Sequence, residues 1–301
     1  MELGMVGLGR MGANMAERLL RGGHKVTGFD PNADARKALE GKGAASADSL
    51  RALVQALPAP RVVWLMVPAG AITADTVNTL LSLLSPGDTV IDGGNSNYND
   101  TLRRAALYRE HKLNYVDCGT SGGVWGLAEG YSMMVGGDEA VVKQLQPIFE
   151  TLAPARDAGW GRVGPVGSGH FTKMVHNGIE YGMMQAYAEG FSILEHKQEF
   201  GLDLAQIGEI WREGSVVRSW LLDLTTDALT KNPKMEGIAP YVADSGEGRW
   251  TVDEAIQLNV PAPVITLSLI ARLRSRDTES FTDKLLSSMR NEFGGHAVKK
   301  E

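Results

Sequence analysis

The run Gly169-His170-Phe171-Thr172-Lys173-Met174-Val175-His176-Asn177-Gly178-Ile179-Glu180-Tyr181 carries the most chemistry in the second half of the chain. Lys173, His176, Asn177, Glu180 and Tyr181 recur at i, i+3, i+4, i+7 and i+8, the spacing that puts side chains on one face of a helix. The other positions are small or apolar: Met174, Val175, Gly178, Ile179, Gly182 and Met183. A solvated face usually carries interchangeable charges. This one holds one each of base, imidazole, amide, acid and phenol. On an ideal helix Lys173 and Glu180 stand ~10 Å apart along the axis, so two long side chains can converge on different carbons of one small substrate. Taken alone, the segment fits a Lys/Glu-decorated surface helix equally well. A neighbouring Gly-rich hinge and a separate nucleotide loop favour catalysis.

That loop is Gly7-Leu8-Gly9-Arg10-Met11-Gly12, set between the apolar run Glu2–Val6 and the helically spaced Asn14–Arg21. A GxGxxG match is weak by itself, but here it sits between a strand and a helix. Gly7 permits the tight turn, Gly9 lets the backbone approach a pyrophosphate, and Gly12 lets helix and strand pack closely. The pyrophosphate would lie at the helix N-terminus, where unbonded N–H groups point at it. Asp30, ending the run Lys25–Phe29, is placed to accept hydrogen bonds from the adenosine ribose hydroxyls and to repel a 2′-phosphate. Pro31, Asn32 and Ala33 follow it and bring no cation, which favours NAD over NADP. Asp92-Gly93-Gly94-Asn95-Ser96 and Asp117-Cys118-Gly119-Thr120-Ser121-Gly122-Gly123 follow two further strand candidates. They are read as ligand loops at the carboxyl ends of a sheet, with a simple turn as the alternative for each. Cys118 reads as a small buried hydrophobe rather than a catalytic thiol.

The elements that must position these residues alternate. Strands are expected at Glu2–Val6, Lys25–Phe29, 62–67, Thr89–Asp92 and 115–117, with helices at 71–84 and 99–111 between them. Such alternation predicts a parallel sheet with helices on both faces, an α/β Rossmann domain. Segments 131–135 and 155–161 are candidate edge strands. The breaker-rich stretch 159–169 is read as the domain boundary. Beyond it the pattern is helical, with segments at 168–197, 204–213, 216–228, 252–258, 262–274 and 282–291. The expected organisation is a dinucleotide-binding domain over 1–163 and an all-helical domain over 164–301, without internal repeats.

Composition narrows the function classes. In 301 residues there are 30 Lys+Arg against 36 Asp+Glu, a net charge of -6, which argues against a general nucleic-acid binder. An anionic substrate needs only a few local cations and stays open. The single cysteine forms no intrachain disulfide and suits a reducing compartment. The six histidines form no HExxH or paired Cys/His pattern, so no metal site is expected. No apolar run approaches the ~20 residues of a membrane span, and glycines interrupt the N-terminal apolar stretch, unlike a signal peptide. A cytoplasmic protein without membrane or nucleic-acid partners is expected.

With these motifs in hand, the chain resembles the β-hydroxyacid dehydrogenases, and among them the decarboxylating 6-phosphogluconate dehydrogenases of the short, NAD-dependent class. The matching pieces span nearly the whole chain: GLGRMG (7–12), MVPAG (66–70), DGGNS (92–96), TSGGVWG (120–126), KMVHNGIEYGMMQ (173–185), GRWT (248–251) and RNEFGGH (290–296). KxxHNxxEY is far more specific than the glycine loop. The resemblance implies oxidative decarboxylation of 6-phosphogluconate to ribulose 5-phosphate, a pentose phosphate pathway reaction, with NAD. Lys173 would be the base on the C3 hydroxyl and Glu180 the acid that protonates the enediol. Asn95, Ser121, Gly122, Gly123, His176 and Asn177 would hold the carboxylate and hydroxyls. Tyr181, Arg272 and Arg290 would contact the phosphate, and His296 would lie on a tail that completes a partner subunit's site in a dimer or tetramer. Gly7, Leu8, Gly9, Arg10, Met11, Gly12, Asp30, Val67, Pro68 and Asn95 would hold the cofactor. The long form has a Lys and a Thr contacting phosphate where this chain has Ser245 and Glu247. That departure keeps unphosphorylated gluconate, or another 3-hydroxy acid, as an alternative substrate. A second departure is Val124-Trp125, where the long form tends to be acidic. A non-catalytic NAD-binding protein is the alternative from another class, and the intact Lys173/Glu180 pair speaks against it.

Overall fold

The computed structural model describes residues 1–295 and 297–299. The chain forms two compact units, Met1–His176 and Asn177–Glu301. The first runs β1 (Glu2–Val6), α1 (Arg10–Arg21), β2 (Lys25–Phe29), α2 (Ala33–Glu40), β3 (Ala45–Ala47), α3 (Leu50–Ala56), β4 (Val62–Leu65), α4 (Ala71–Leu81), β5 (Thr89–Asp92), α5 (Tyr98–Glu110), β6 (Asn114–Ser121), α6 (Gly126–Glu129), β7 (Ser132–Gly136), α7 (Glu139–Leu152), β8 (Trp160–Gly164) and the start of α8 (Ser168–His196).

The strands make one sheet in the order β3-β2-β1-β4-β5-β6-β7-β8. Strands β1 to β6 pair in parallel with one another. The period of two along each strand feeds two cores. Leu3, Met5, Trp64, Ile91 and Val116 face α1 and α7, packing with Met15, Leu19, Ile148 and Phe149. Val6, Val63, Leu65, Val90 and Tyr115 face the other side, against Leu53, Val54, Leu80 and Tyr108 of α3, α4 and α5. Both faces being covered is why these strands read as unbroken apolar runs. Cys118 is fully buried on β6.

Two features correct the sequence expectation. Strand β7 runs antiparallel to β6, so the sheet is not parallel throughout. The connection from Ser121 to Ser132 is shorter than the dozen or more residues that a parallel crossover needs. The glycine-rich stretch 159–169 is not simply a linker either. Trp160–Gly164 forms β8, parallel to β7, so the strand expected at 155–161 lies a few residues further on. Four helices, α2, α3, the single-turn α6 and α7, and the short strand β3 are additional to the expected elements. Helices α2, α3 and α7 each start on a side-chain cap: Asn32 to Asp34 N, Ser49 to Ala52 N, and Asp138 to Ala140 N, each worth about 1 kcal/mol.

The second unit holds the rest of α8, then α9 (Leu204–Arg212), α10 (Trp220–Lys231), α11 (Glu247–Gln257), α12 (Pro263–Arg274) and α13 (Phe281–Gly294). Among its described residues there is no strand, in keeping with a helical C-terminal domain. Its core gathers Phe191, Leu222 and Leu229 with Trp211 and Tyr187. Helix α10 begins at Trp220 rather than 216 because Ser219 caps it, accepting from Leu222 N at 3.1 Å; Val216 is 99% exposed. Among the described residues no helix is long and apolar enough to cross a membrane.

Candidate active site

In the first unit the candidate loops leave the carboxyl ends of β1, β2, β4, β5 and β6, at one edge of the parallel strands. The order of β1 and β4 in the sheet makes their junction the switch point at which such sheets bind ligands. At that junction the three glycines of the first loop have distinct surroundings. Gly7 takes a left-handed φ of 91°, and a Cβ there would stand 2.4 Å from Met66 O. A Cβ on Gly12 would stand 1.9 Å from Gly7 O, whereas one on Gly9 would meet nothing within 4 Å. The loop is therefore closed on its strand side and open on its outer side. Arg10 and Met11 form the first residues of α1. Asp30 binds the loop itself: its Oδ2 accepts from Leu8 N at 2.8 Å and its Oδ1 from Asn32 N at 2.8 Å. Val67 lies beside Gly7, with Cγ1 3.0 Å from the ideal Cβ position. The carbonyl of Pro68 accepts from Thr73 Oγ1 at 2.8 Å.

The β5 loop is built on buried charge. Asp92 is fully buried and accepts from Ser96 Oγ at 2.9 Å, Tyr115 OH at 3.0 Å and Arg104 Nη1 at 3.3 Å, with Gly94 N at 3.3 Å on its other oxygen. Burial, and then this carboxylate, push the Tyr115 hydroxyl well above the usual phenol range. Asn95 projects from this braced loop and is exposed, between buried Gly94 and Ser96. At the end of β6, Ser121 is followed by Gly122 and Gly123, both at positive φ, 126° and 52°. A side chain at either position would strain the turn.

Helix α8 follows. Lys173 is 7% exposed, and its Nζ lies 3.4 Å from His176 Nδ1. Strand β6 presses on its stem: a Cβ on Gly119 would stand 2.4 Å from Lys173 Cβ. Further along α8, in the second unit, Asn177 and Glu180 are half-buried and Tyr181 is buried. All five polar residues belong to one uninterrupted helix, on the face their spacing predicts.

In the second unit the structure joins Tyr181 to Arg272, whose Cζ lies 3.5 Å from the centre of the Tyr181 ring, a cation–π contact. Arg272 Nη1 also donates to Ala243 O at 2.9 Å. Ser245 N donates to Tyr181 OH at 3.4 Å, and Ser245 Oγ donates to Glu247. Glu247 is 2% exposed, and its other oxygen accepts no hydrogen bond among the described residues. Arg249 and Arg276 are both tied to Asp244, at 3.1 and 2.6 Å; their hydrogen bonds hold its carboxyl below the usual range. Arg290 is exposed on α13 and, among the described residues, is not drawn into the Tyr181–Arg272 group. His296 lies outside the described residues.

Three residues near these loops were not singled out from the sequence. Arg36 donates to Asp30 O at 2.6 Å and Pro31 O at 3.3 Å, so a cation does stand beside the Asp30 turn. Only the recognition of α2 would have turned it back there. Asp92 and Asp117 read only as the ends of expected strands and the first residues of the loops that follow, and both are fully buried carboxylates. Their apolar flanks, Val90-Ile91 and Tyr115-Val116, were the available signal.

Comparison with known proteins places these features in a wider setting. A family model described as the NAD binding domain of 6-phosphogluconate dehydrogenase matches residues 2–161, and one described as the 6-phosphogluconate dehydrogenase C-terminal domain matches 169–300. The chain is 42% identical over 302 residues to an NAD(+)-dependent, decarboxylating 6-phosphogluconate dehydrogenase of Haloferax volcanii, covering 100% of this chain and 99% of that one. A Bacillus subtilis enzyme of the same description is 37% identical over 91% of this chain, which spans 61% of that longer protein. Among solved structures, a Plasmodium falciparum 6-phosphogluconate dehydrogenase, studied apo and with NADP+ or 6-phosphogluconate, aligns with a TM-score of 0.84 at 28% identity over 100% of this chain and 66% of that one. A Mycobacterium tuberculosis 3-hydroxyisobutyrate dehydrogenase with L-serine gives a TM-score of 0.72 at 25% identity, covering 89% and 90% of the two chains.

Proposed function

This chain belongs to the 6-phosphogluconate dehydrogenase family, as a short, NAD-dependent member, and from that premise we propose that it oxidatively decarboxylates 6-phospho-D-gluconate to D-ribulose 5-phosphate and CO2. The observation that carries the mechanism is the burial of Lys173 on a helix face that bears Glu180 two turns on. The functional boundary of the cofactor domain is placed at 163/164.

The first loop fits NAD: Gly9 leaves open space where a pyrophosphate needs backbone approach, while Gly7 and Gly12 tolerate no side chain. Gly7 to Gly12 would hold the pyrophosphate, Asp30 the adenosine ribose, and Val67, Pro68 and Asn95 the nicotinamide end. When bound, NAD supplies the acceptor for the hydride leaving C3. Lys173 Nζ takes the C3 hydroxyl proton as that hydride departs, leaving a 3-keto acid. The C1 carboxylate is then lost as CO2, its bonding pair passing into the enediol. The Lys173 ammonium steadies the developing charge on the C3 oxygen. Glu180 delivers a proton to the carbon that becomes C1 of ribulose 5-phosphate. A base able to be neutral near pH 7 and a separate acid are what this sequence of proton transfers requires.

Asn95, Ser121, Gly122, Gly123, His176 and Asn177 hold the carboxylate and hydroxyls in this reading. Tyr181, Arg272 and Arg290 take the phosphate, since paired guanidinium groups suit it. The enzyme works as a homo-oligomer, a dimer or tetramer in which the segment carrying Arg290 and His296 completes the neighbour's site. Exposed Ile179 and Ile193 on α8 and Leu285 and Leu286 on α13 support such packing. The Ser245–Glu247 pair, an exposed serine on a buried carboxylate that adds no cation, is the observation that favours a second reading, turnover of unphosphorylated gluconate.

Tritium exchange at C1 of ribulose 5-phosphate with solvent, in the presence of NADH, tests the acid. Wild type should catalyse it and Glu180→Gln should lose it by a factor of about 10²–10⁴, the usual worth of general acid catalysis. Lys173→Met should abolish hydride transfer and decarboxylation together. Near-normal exchange in Glu180→Gln removes Glu180 from the role. Initial rates with gluconate in place of 6-phosphogluconate decide the second reading, which stands only if kcat/KM for gluconate is the larger.

A further inference from the structure

Helix α8 starts on a residue with no side chain. Gly167 occupies the N-cap position: its carbonyl accepts the first helical hydrogen bond, from Phe171 N at 3.0 Å. Its φ of 93° is one that residues with a side chain rarely adopt. An N-cap side chain would normally take the N–H three residues on, which here belongs to His170. Asp117, on strand β6, takes it instead. Its Oδ2 accepts from His170 N at 2.8 Å and its Oδ1 from Gly167 N at 2.6 Å.

The carboxylate is fully buried, which is tolerated because two N–H groups and the positive end of the helix face it. The fit leaves no slack. A Cβ on Gly136 would stand 2.4 Å from Asp117 Oδ1, and one on Gly169 would stand 2.5 Å from Met134 O. The His170 ring bonds Thr101, with Nδ1 2.7 Å from Thr101 Oγ1 and 4.0 Å from Asp117 Oδ2, so the hydrogen bond that His170 gives the cap is that of its backbone N–H. Two residues along β6, on the same face as Asp117, Gly119 meets the stem of Lys173. One strand thus grips the helix at its first turn and again at Lys173.

We propose that Asp117 is a positioning residue for Lys173: it supplies from β6 the cap that α8 lacks, and so fixes the height at which Lys173 meets the substrate C3 hydroxyl. The proposal rests on Lys173 being the base. Without the cap the first turn loosens, and Lys173, less than two turns from it, loses its fixed place against Gly119.

The test compares wild type, Asp117→Ala, Asp117→Asn and Lys173→Met. NADH binding is titrated by fluorescence, kcat is expressed per NADH-binding site, and the deuterium isotope effect is measured with 6-phosphogluconate labelled at C3. In Asp117→Ala, kcat per site should fall about 10- to 100-fold, the scale of a misplacement near 1 Å, with NADH affinity nearly unchanged. The isotope effect on kcat should rise, because the hydride step slows. Asp117→Asn keeps one acceptor oxygen and should recover part of the loss; it carries the test on the same terms if Asp117→Ala does not fold. A folded variant with lowered thermal stability but wild-type kcat per site and isotope effect overturns the proposal and leaves Asp117 with a role in folding alone. Turnover surviving in Lys173→Met overturns the base assignment, and the positioning role with it.

Discussion

Asp30 serves two masters in the loop after β2. One oxygen steadies the glycine loop through Leu8 N, and the same carboxylate is the group that faces the adenosine ribose in the proposed complex. Its substitution should act on both. Asp30→Ser is expected to lower kcat/KM for NAD about 10-fold, the worth of one charge-assisted hydrogen bond. It should raise kcat/KM for NADP, because Arg36 already stands at the Asp30 and Pro31 carbonyls. The gain should vanish in Asp30→Ser/Arg36→Ala. Initial rates with both cofactors check this, and a wild type that already prefers NADP would be the contrary result. At this scale the sequence was most legible where a motif forced a residue type, as in Gly7, Gly12 and the Lys173–Tyr181 stripe. It was least legible where a residue acts through tertiary folding. Nothing local marks Asp117 as the cap of a helix fifty residues on, and Arg36 gained meaning only once α2 turned it back.

Elements with strong periodicity are legible in the sequence close to their observed bounds: β1, β2, β5, α5 and α12; α1 starts at Arg10, a turn before the helically spaced Asn14–Arg21. Those overlooked have identifiable reasons. Strand β3 is Ala-Ser-Ala, without the β-branched or aromatic residues that announce a strand. Helix α2 buries only Leu39, too little for a periodic signal. Helix α7 did carry one, with Val142, Leu145, Ile148, Phe149 and Leu152 all buried. It also anchors β2's approach. Thr151 on α7 donates to Pro147 O at 2.9 Å and lies 2.8 Å from His24 Nε2, while the Met1 amino group is 3.3 Å from Nδ1. Burial first, then that ammonium, hold His24 below its ordinary pKa of 6.5. Between that lowered value and 6.5 the unfolded chain binds more protons than the folded one, so this contribution to stability is full above about pH 6.5 and is lost as pH falls through the folded value. Urea midpoints measured from pH 7.5 to 5 should therefore drop more steeply for wild type than for His24→Gln. Parallel curves would remove His24 from the acid response.

The two units of the whole chain were foreseeable because their apolar periods differ, near two with strand–helix alternation first and helical afterwards. The reversal at β7 was not, since direction in a sheet depends on connection length rather than on the strand's own residues. The proposed assembly gives this scale its own expectation. A chain ending after Ser288 removes Arg290 and the segment beyond it while keeping the Rossmann unit intact. It should bind NADH with unchanged affinity and lose turnover of 6-phosphogluconate at least 100-fold, roughly two lost phosphate-binding hydrogen bonds to a charged group. Full activity from a truncated protein that sediments as a monomer would exclude a shared site. Mixing truncated chains with a full-length Lys173→Met variant should restore some turnover if tails cross between subunits.

Cys118 gives the central sheet a clock. It is the chain's one sulfhydryl, and burial, aided by the negative charges of Asp117 and Asp92, pushes its pKa up to about 12. Alkylation needs the ionised sulfur and a path to it. Both are withheld while β6 stays seated between β5 and β7, and both are restored when it parts from them. Where iodoacetamide is concentrated enough for alkylation to outpace reclosing, the rate at which it consumes this sulfur counts how often the middle of the sheet comes apart. It is read without label or mutation, and on the very strand that grips the helix of Lys173.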